Sequence, residues 1–135
     1  MQQYDPVALL EAACSAAELA HCPYSGFRVG AAVATRSGRI FAGCNVENAS
    51  YGLTICAERV ALTKAISEGH PTFVAIAVVA SGARIPYPCG ACRQVLQEFC
   101  DSELPVLLST LEAPDVVERY TLADLLPHPF VFEKP

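Results

Sequence analysis

The chain has 135 residues, of which 53% are hydrophobic and 17% charged, and its formal net charge is −5. This length and composition suit one folded domain over residues 1–135 and exclude a disordered chain. The acidic balance argues against binding to nucleic acid phosphates, and no apolar stretch is long enough to cross a membrane.

The seven cysteines are an odd number, and the N-terminal residues do not form a secretory signal. The cysteines are therefore expected to be reduced thiols or metal ligands in the cytoplasm. A small neutral or cationic substrate fits the acidic chain better than a polyanion does.

Helices and strands alternate along most of the chain. Helices are predicted over residues 7–20, 55–68, 89–100 and 121–126, and strands over residues 27–34, 39–43, 73–80, 105–109 and 116–120. Asp5 and Pro6 are typical of a helix start, and Thr54 is predicted to cap the second helix. The first two strands read as an antiparallel hairpin, while the later strand–helix–strand alternation indicates a parallel crossover. The predicted fold is α/β, with three α/β/α layers and a mixed five-stranded sheet.

Three cysteines have the pattern of a catalytic metal site. Cys89 and Cys92 are three residues apart, so one helical turn directs both thiols the same way. Cys56 supplies a third thiolate, and no obvious fourth ligand is nearby. Three protein ligands with one open position are typical of catalytic zinc, whereas structural zinc sites have four. Both clusters lie at predicted helix N-termini, where the helix dipole favours thiolates.

Two charged residues follow the first ligand. Glu58 is close enough to act on whatever occupies the open position, as a general base would. Arg59 is expected either to offset the thiolate charge by donating to a ligand sulfur or to be a solvated helix residue. Asn45 and Glu47 share one face of an extended segment, which suits hydrogen bonds to vicinal hydroxyls or, alternatively, a role in holding the loop.

Several motifs together resemble the small tetrameric cytidine deaminases, over nearly the whole chain. They are FRVGAA at 27–32, GCNVENASY at 43–51, CAER at 56–59, PCGACRQVLQEF at 88–99 and LLPHPF at 125–130. The resemblance implies that Cys56, Cys89 and Cys92 bind one zinc ion per subunit. It also implies that Glu58 transfers protons during hydrolytic deamination of cytidine and 2′-deoxycytidine to uridine and 2′-deoxyuridine. Arg59 matches the arginine that supports the ligands in this family.

The same resemblance assigns the substrate contacts. Phe27 is expected to pack on the pyrimidine beside Val29, Asn45 and Glu47 to bind the ribose, and the Ala57 backbone to bind the base. Family members are homotetramers with shared active sites, so three further residues are expected to reach a neighbour's substrate. These are Ala49, Tyr51 and Phe130.

The chain departs from the family pattern at Tyr87, where a serine is common. The rival functions are deamination of another aminated heterocycle such as blasticidin S, editing of nucleic acid, and that of a structural zinc or redox module. The Asn45–Glu47 pair favours a ribose, the net charge opposes nucleic acid, and the missing fourth ligand opposes a structural zinc site.

Overall fold

The computed structural model describes residues 3–134; Met1, Gln2 and Pro135 lie outside the described residues. Within that range the chain forms four α-helices and five strands in the predicted order. The helices are α1 (Pro6–Ala17), α2 (Ala57–Ser67), α3 (Gly90–Phe99) and α4 (Leu122–Leu125). The strands are β1 (Val29–Thr35), β2 (Ile40–Cys44), β3 (Phe73–Ala80), β4 (Pro105–Thr110) and β5 (Glu118–Thr121).

The five strands form one mixed sheet in the order β2-β1-β3-β4-β5. The β3–β4 pair is parallel and the other three pairs are antiparallel, which confirms the predicted mixed sheet. Because β2 and β3 both pair antiparallel to β1, they run in the same direction. Their carboxyl ends, Cys44 and Ala80, therefore lie at the edge where β1 begins with Val29.

Helices cover both faces of the sheet. On one face α1 packs through Leu9 and Ala13 against small residues of β1 and β3. The other face buries Ala61 and Leu62 of α2 together with Leu96 of α3. This arrangement confirms the three-layer prediction, and it fixes α2 and α3 on the same side of the sheet.

Small residues set how closely the helices approach. A Cβ added at Gly43 on β2 would lie 2.7 Å from the Ala61 nitrogen of α2. One added at Gly30 on β1 would lie 1.9 Å from the Ala13 oxygen of α1. Both distances are below van der Waals contact, so the absence of a side chain is what lets each helix lie on its strand.

The predicted element boundaries were wrong at two places that matter for the site. Thr54 does not cap α2; its hydroxyl accepts from the Asn48 N–H, and the N-cap residue is Cys56. Phe27 precedes β1 rather than beginning it. At the first helix, Asp5 caps as predicted and accepts hydrogen bonds from two N–H groups, those of Val7 and Ala8.

No helix among residues 3–134 combines the length and apolarity that a membrane span requires.

Candidate metal centre and active site

The thiols of Cys56, Cys89 and Cys92 meet at one point although the first two are 33 residues apart in sequence. All three sulfurs lie within 4.8 Å of one another, and the Cys56 and Cys89 sulfurs are 3.9 Å apart. Tetrahedral zinc with Zn–S bonds of about 2.3 Å requires sulfurs about 3.8 Å apart. The donor set and spacing therefore fit zinc. Among the residues described, no other cluster brings together three or more potential metal ligands.

The N-termini of two helices bring these thiols together. Cys56 is the N-cap of α2 and Cys89 the N-cap of α3, while Cys92 lies in the first turn of α3. Neither N-cap thiol bonds to its own helix backbone, so both remain available as ligands. The partial positive charge at each N-terminus stabilises thiolates, as predicted. The helices, however, do not follow neighbouring parallel strands: α2 follows β2 and α3 follows β3, with β1 between.

Arg59 contacts one of the three clustered thiols directly. Its Nη2 donates to the Cys56 sulfur over 3.3 Å, while its buried Nε has no hydrogen-bond partner among the described residues. Hydrogen bonding from Cys92, and then from Arg59, lowers the pKa of Cys56 to about 5. Interaction with the Cys56 sulfur and burial raise the pKa of Cys92. The expectation that Arg59 donates to a ligand sulfur is thus observed in the structure.

Glu58 is a carboxylate held out of water beside the thiols. Only 6% of its surface is exposed. Burial, and secondarily the charge of Cys56, raise the pKa of Glu58 to about 7. A carboxylate with this pKa exchanges protons readily near neutral pH, which is the property a general acid–base group needs.

A cavity of about 560 Å³ connects Glu58 to the sheet edge. Val29 at the start of β1 and Phe27 just before that strand line it, and Cys56 and Cys89 line it from the two helix starts. Residues 84–87, in the segment between β3 and α3, complete the wall. The volume suits a small molecule, and the exposed, mostly apolar wall suits a flat ring.

Asn45 and Glu47 hold the segment that carries Phe27. The Asn45 amide accepts from the Val29 N–H at 2.9 Å and donates to the Phe27 carbonyl at 2.8 Å. Glu47 accepts from the N–H groups of Tyr24 and Ser25 and from the Ser25 hydroxyl, and this last bond is the main reason that its pKa is lowered. The loop-holding role is therefore present. Neither side chain lines the cavity that contains Glu58, and Glu47 lines a separate hollow instead. These bonds use all but one Asn45 N–H and one acceptor position of Glu47.

The remaining four predicted residues do not line this cavity. Ala57 is buried as the first residue of α2, where N–H groups have no intrahelical acceptor. Tyr51 is 75% exposed and lines a separate hollow with Glu47. Ala49 is exposed in the loop after β2. Phe130 is 71% exposed, and Gln94 of α3 bonds both its carbonyl and its N–H.

Sequence reasoning gave no role to two residues that organise the site. The Ser25 hydroxyl accepts from the Phe27 N–H at 3.0 Å while bonding Glu47, so it links the two expected substrate contacts. Arg93 donates to the Pro88 carbonyl at 2.6 Å and to the Leu125 carbonyl at 2.6 Å, which ties the start of α3 to α4. The turn-forming composition of residues 23–26 was the one available signal for Ser25.

Known proteins are similar to this chain in sequence and in fold. A family model, the cytidine and deoxycytidylate deaminase zinc-binding region, matches residues 4–108. A cytidine deaminase of Halalkalibacterium halodurans is 50% identical over 125 residues, covering 93% of each chain. One from Mycobacterium tuberculosis is 45% identical over 118 residues, covering 87% of this chain and 84% of the relative.

Solved structures agree with these matches. The cytidine deaminase of Burkholderia pseudomallei superposes with a TM-score of 0.88 at 48% identity, covering 93% of this chain and 99% of that one. The fold, the buried carboxylate and the three-cysteine zinc site together define a class of protein. That class is the zinc-dependent hydrolytic deaminases, with one zinc per subunit. Within that class, the chain belongs to the cytidine deaminase family.

Proposed function

We propose that this chain deaminates cytidine and 2′-deoxycytidine to uridine and 2′-deoxyuridine with release of ammonia, a reaction of pyrimidine salvage. The observation that carries the proposal is the position of Glu58, buried beside three thiols in a cavity that Phe27 lines. The names of the similar proteins give the same substrate class.

Cys56, Cys89 and Cys92 hold the zinc ion in this proposal, and Glu58 moves the protons. Zinc, when bound, supplies Lewis acidity that makes water a nucleophile near neutral pH. The Glu58 carboxylate accepts a proton from the water that attacks C4 and delivers it to N3 of the ring. It then takes the remaining proton from the hydroxyl now on C4 and passes it to the departing amino group, so that the C4 carbonyl forms as the C4–N bond breaks and ammonia leaves. Arg59 offsets the charge of three thiolates through its bond to Cys56.

Residues that line the cavity and residues outside it both supply substrate contacts in this proposal. Phe27 packs on the pyrimidine with Val29 beside it, since both line the cavity wall. A free N–H at the start of α2, that of Ala57, bonds the base. Asn45 and Glu47 bond the ribose hydroxyls through the donor and acceptor positions that their internal hydrogen bonds leave open.

A homotetramer with shared active sites belongs to the same proposal. Three residues on the surface of the single chain, Ala49, Tyr51 and Phe130, would reach the substrate of a neighbour. The exposure of Tyr51 and Phe130 supports this, because large aromatic side chains that are 71–75% exposed in the single chain are typical of interfaces. A cytoplasmic location also fits, since a reducing compartment maintains the thiols that zinc needs.

Blasticidin S and related heterocycles are not favoured as substrates, because relatives that are 50% identical over 93% and 85% of this chain are cytidine deaminases. A nucleic acid substrate is opposed by the net charge of −5.

Ultraviolet monitoring of purified protein with cytidine and 2′-deoxycytidine tests the proposal. We expect the absorbance change of deamination with both nucleosides, its loss after zinc chelation, and its return on adding zinc. Blasticidin S and single-stranded DNA serve as comparison substrates. Turnover of either of these, with none of cytidine, would overturn the proposal.

A further inference from the structure

We propose that Tyr87 is a specificity-determining residue whose ring sets the width of the substrate cavity. Its hydroxyl is held from outside the cavity by Glu118 of β5, and we call the hydrogen bonds among Tyr87, Glu118 and Tyr120 the latch. This proposal deepens the proposed function and depends on it, because it concerns which pyrimidine nucleosides fit the cavity.

The Tyr87 side chain contacts both the substrate cavity and the edge strand of the sheet. It lines the same cavity as Glu58, Phe27 and Cys89. Its hydroxyl donates to Oε1 of Glu118 at 2.9 Å, on the edge strand β5. The ring is thus held between the cavity and the sheet edge, and its position is determined by a strand that does not itself line the cavity.

A second tyrosine completes the latch. The Tyr120 hydroxyl donates to the same Glu118 oxygen, and the rings of Tyr87 and Tyr120 meet edge to face with centroids 5.8 Å apart. Glu118 and Tyr120 are two residues apart on β5, so their side chains share one face of the strand. Two hydroxyl donors on one carboxylate oxygen form a charge-assisted pair of bonds, which are stronger than neutral ones.

The backbone around Tyr87 has little freedom to move the ring. Pro86 and Pro88 flank it, each with a fixed φ, and the Tyr87 N–H bonds the Ile85 carbonyl at 3.0 Å. The Pro88 carbonyl accepts from Arg93 at 2.6 Å. With side chain and backbone both anchored, the ring is a rigid part of the wall.

A rigid wall discriminates by size. One extra methyl group on a substrate that meets such a wall changes kcat/KM on the order of tenfold or more. We therefore expect the protein to select against cytidines that carry a ring or amino methyl group, and we expect this selection to depend on Tyr87 and on its latch.

The experiment measures kcat/KM for cytidine, 5-methylcytidine and N4-methylcytidine. The quantity compared between variants is the kcat/KM of each methylated substrate divided by the kcat/KM of cytidine. Tyr87→Ala should raise at least one ratio about tenfold, because the wall is removed. Glu118→Ala should raise the same ratio by a smaller factor, because the ring is released but present. Glu118→Gln should keep the wild-type ratio, since the amide oxygen of the new side chain still accepts from both hydroxyls. Tyr4→Phe, a matched tyrosine variant near the start of α1, should leave the ratios unchanged.

A purely structural role for Tyr87 would lower kcat/KM for all three substrates together and leave the ratios constant. Ratios within about twofold of wild type in both Tyr87→Ala and Glu118→Ala, with zinc content intact, would overturn the proposal. If Tyr87→Ala does not fold, Tyr87→Leu takes its place under the same criterion. Cytidine turnover by the wild-type protein is measured first, so a failure of the proposed function is seen separately from a failure of the latch.

Discussion

The Arg59 guanidinium donates a hydrogen bond from Nη2 to the Cys56 sulfur over 3.3 Å, and the two residues lie one turn apart at the start of α2. The bond places a permanent positive charge next to three sulfurs that must lose their protons when metal binds. After the hydrogen bond from Cys92, it is the next contribution that lowers the pKa of Cys56 to about 5. Its consequence is a thiolate that is available well below neutral pH.

Arg59→Gln should shift the acidic limit of zinc binding upward. Without the guanidinium the pKa of Cys56 rises, so protons compete with zinc at higher pH, by on the order of one pH unit. Zinc content measured against pH in wild type and variant checks this. Arg39→Gln is the matched control, because Arg39 stacks over Phe41 away from the thiols. Identical zinc titrations in all three proteins would contradict the assigned role.

Glu58→Gln should retain zinc and lose turnover by a factor of about 10² to 10⁴, because the ligands remain while the proton-transferring group is gone. Steady-state kinetics with parallel zinc analysis make the measurement. Normal turnover in the variant would defeat the assignment.

The pH dependence of wild-type activity should show the ionisation of Glu58. A general base must be deprotonated, so kcat/KM falls as the pH falls through its pKa, which burial raises to about 7. The acidic limb of the profile should therefore lie near pH 7. A pH–rate profile of the zinc-loaded enzyme tests the prediction, and an acidic limb well above pH 7 would be inconsistent with it.

Removing zinc should expose one highly reactive thiol. Cys56, with a pKa of about 5, is a thiolate at pH 7, whereas burial raises the pKa of Cys100 to about 12. Iodoacetamide should therefore label Cys56 rapidly and Cys100 slowly in the chelated protein, and zinc should protect Cys56. Peptide mass spectrometry reads both sites in one sample, so Cys100 is the internal control. Equal labelling of the two would rule the explanation out.

Phe130→Ala tests the shared active site. Gln94 fixes the backbone at Phe130 and leaves the ring exposed, so truncation removes a surface contact without disturbing α3. We expect kcat/KM to fall about tenfold with zinc content unchanged. Phe132→Ala is the control, since that ring is 73% exposed but has no proposed contact. Near-normal kinetics with an intact tetramer would count against the shared site.

Gly43→Ala should destabilise the protein by about 1–3 kcal/mol, because the new methyl group would press on the Ala61 backbone and push α2 away from β2. Since α2 carries Cys56 and Glu58, zinc affinity should fall as well. Thermal unfolding and zinc titration check the two effects. Gly52→Ala, where an added Cβ meets nothing within 4 Å, should change neither.

The sequence by itself determined the local parts of this protein. Helix and strand order follow from hydrophobic periodicity and turn residues, and the joint direction of Cys89 and Cys92 follows from the pitch of a helix. The motifs around Cys56 and Cys89 were sufficient to indicate the family. The predicted start of α2 was nevertheless wrong, because the Thr54 hydroxyl bonds to the Asn48 N–H in the preceding loop and does not cap the helix.

Only the tertiary structure decided what lies next to what across the sheet. It placed β2 and β3 in the same direction on either side of β1. As a result the Cys56 sulfur lies 3.9 Å from the Cys89 sulfur. It also buried Glu58 and joined Tyr87 to Glu118, 31 residues later. Such contacts depend on strand order and on the packing of α2 and α3 against one face. The periodicity of a single segment carries no information about either, because it reflects only how that segment buries its own apolar side.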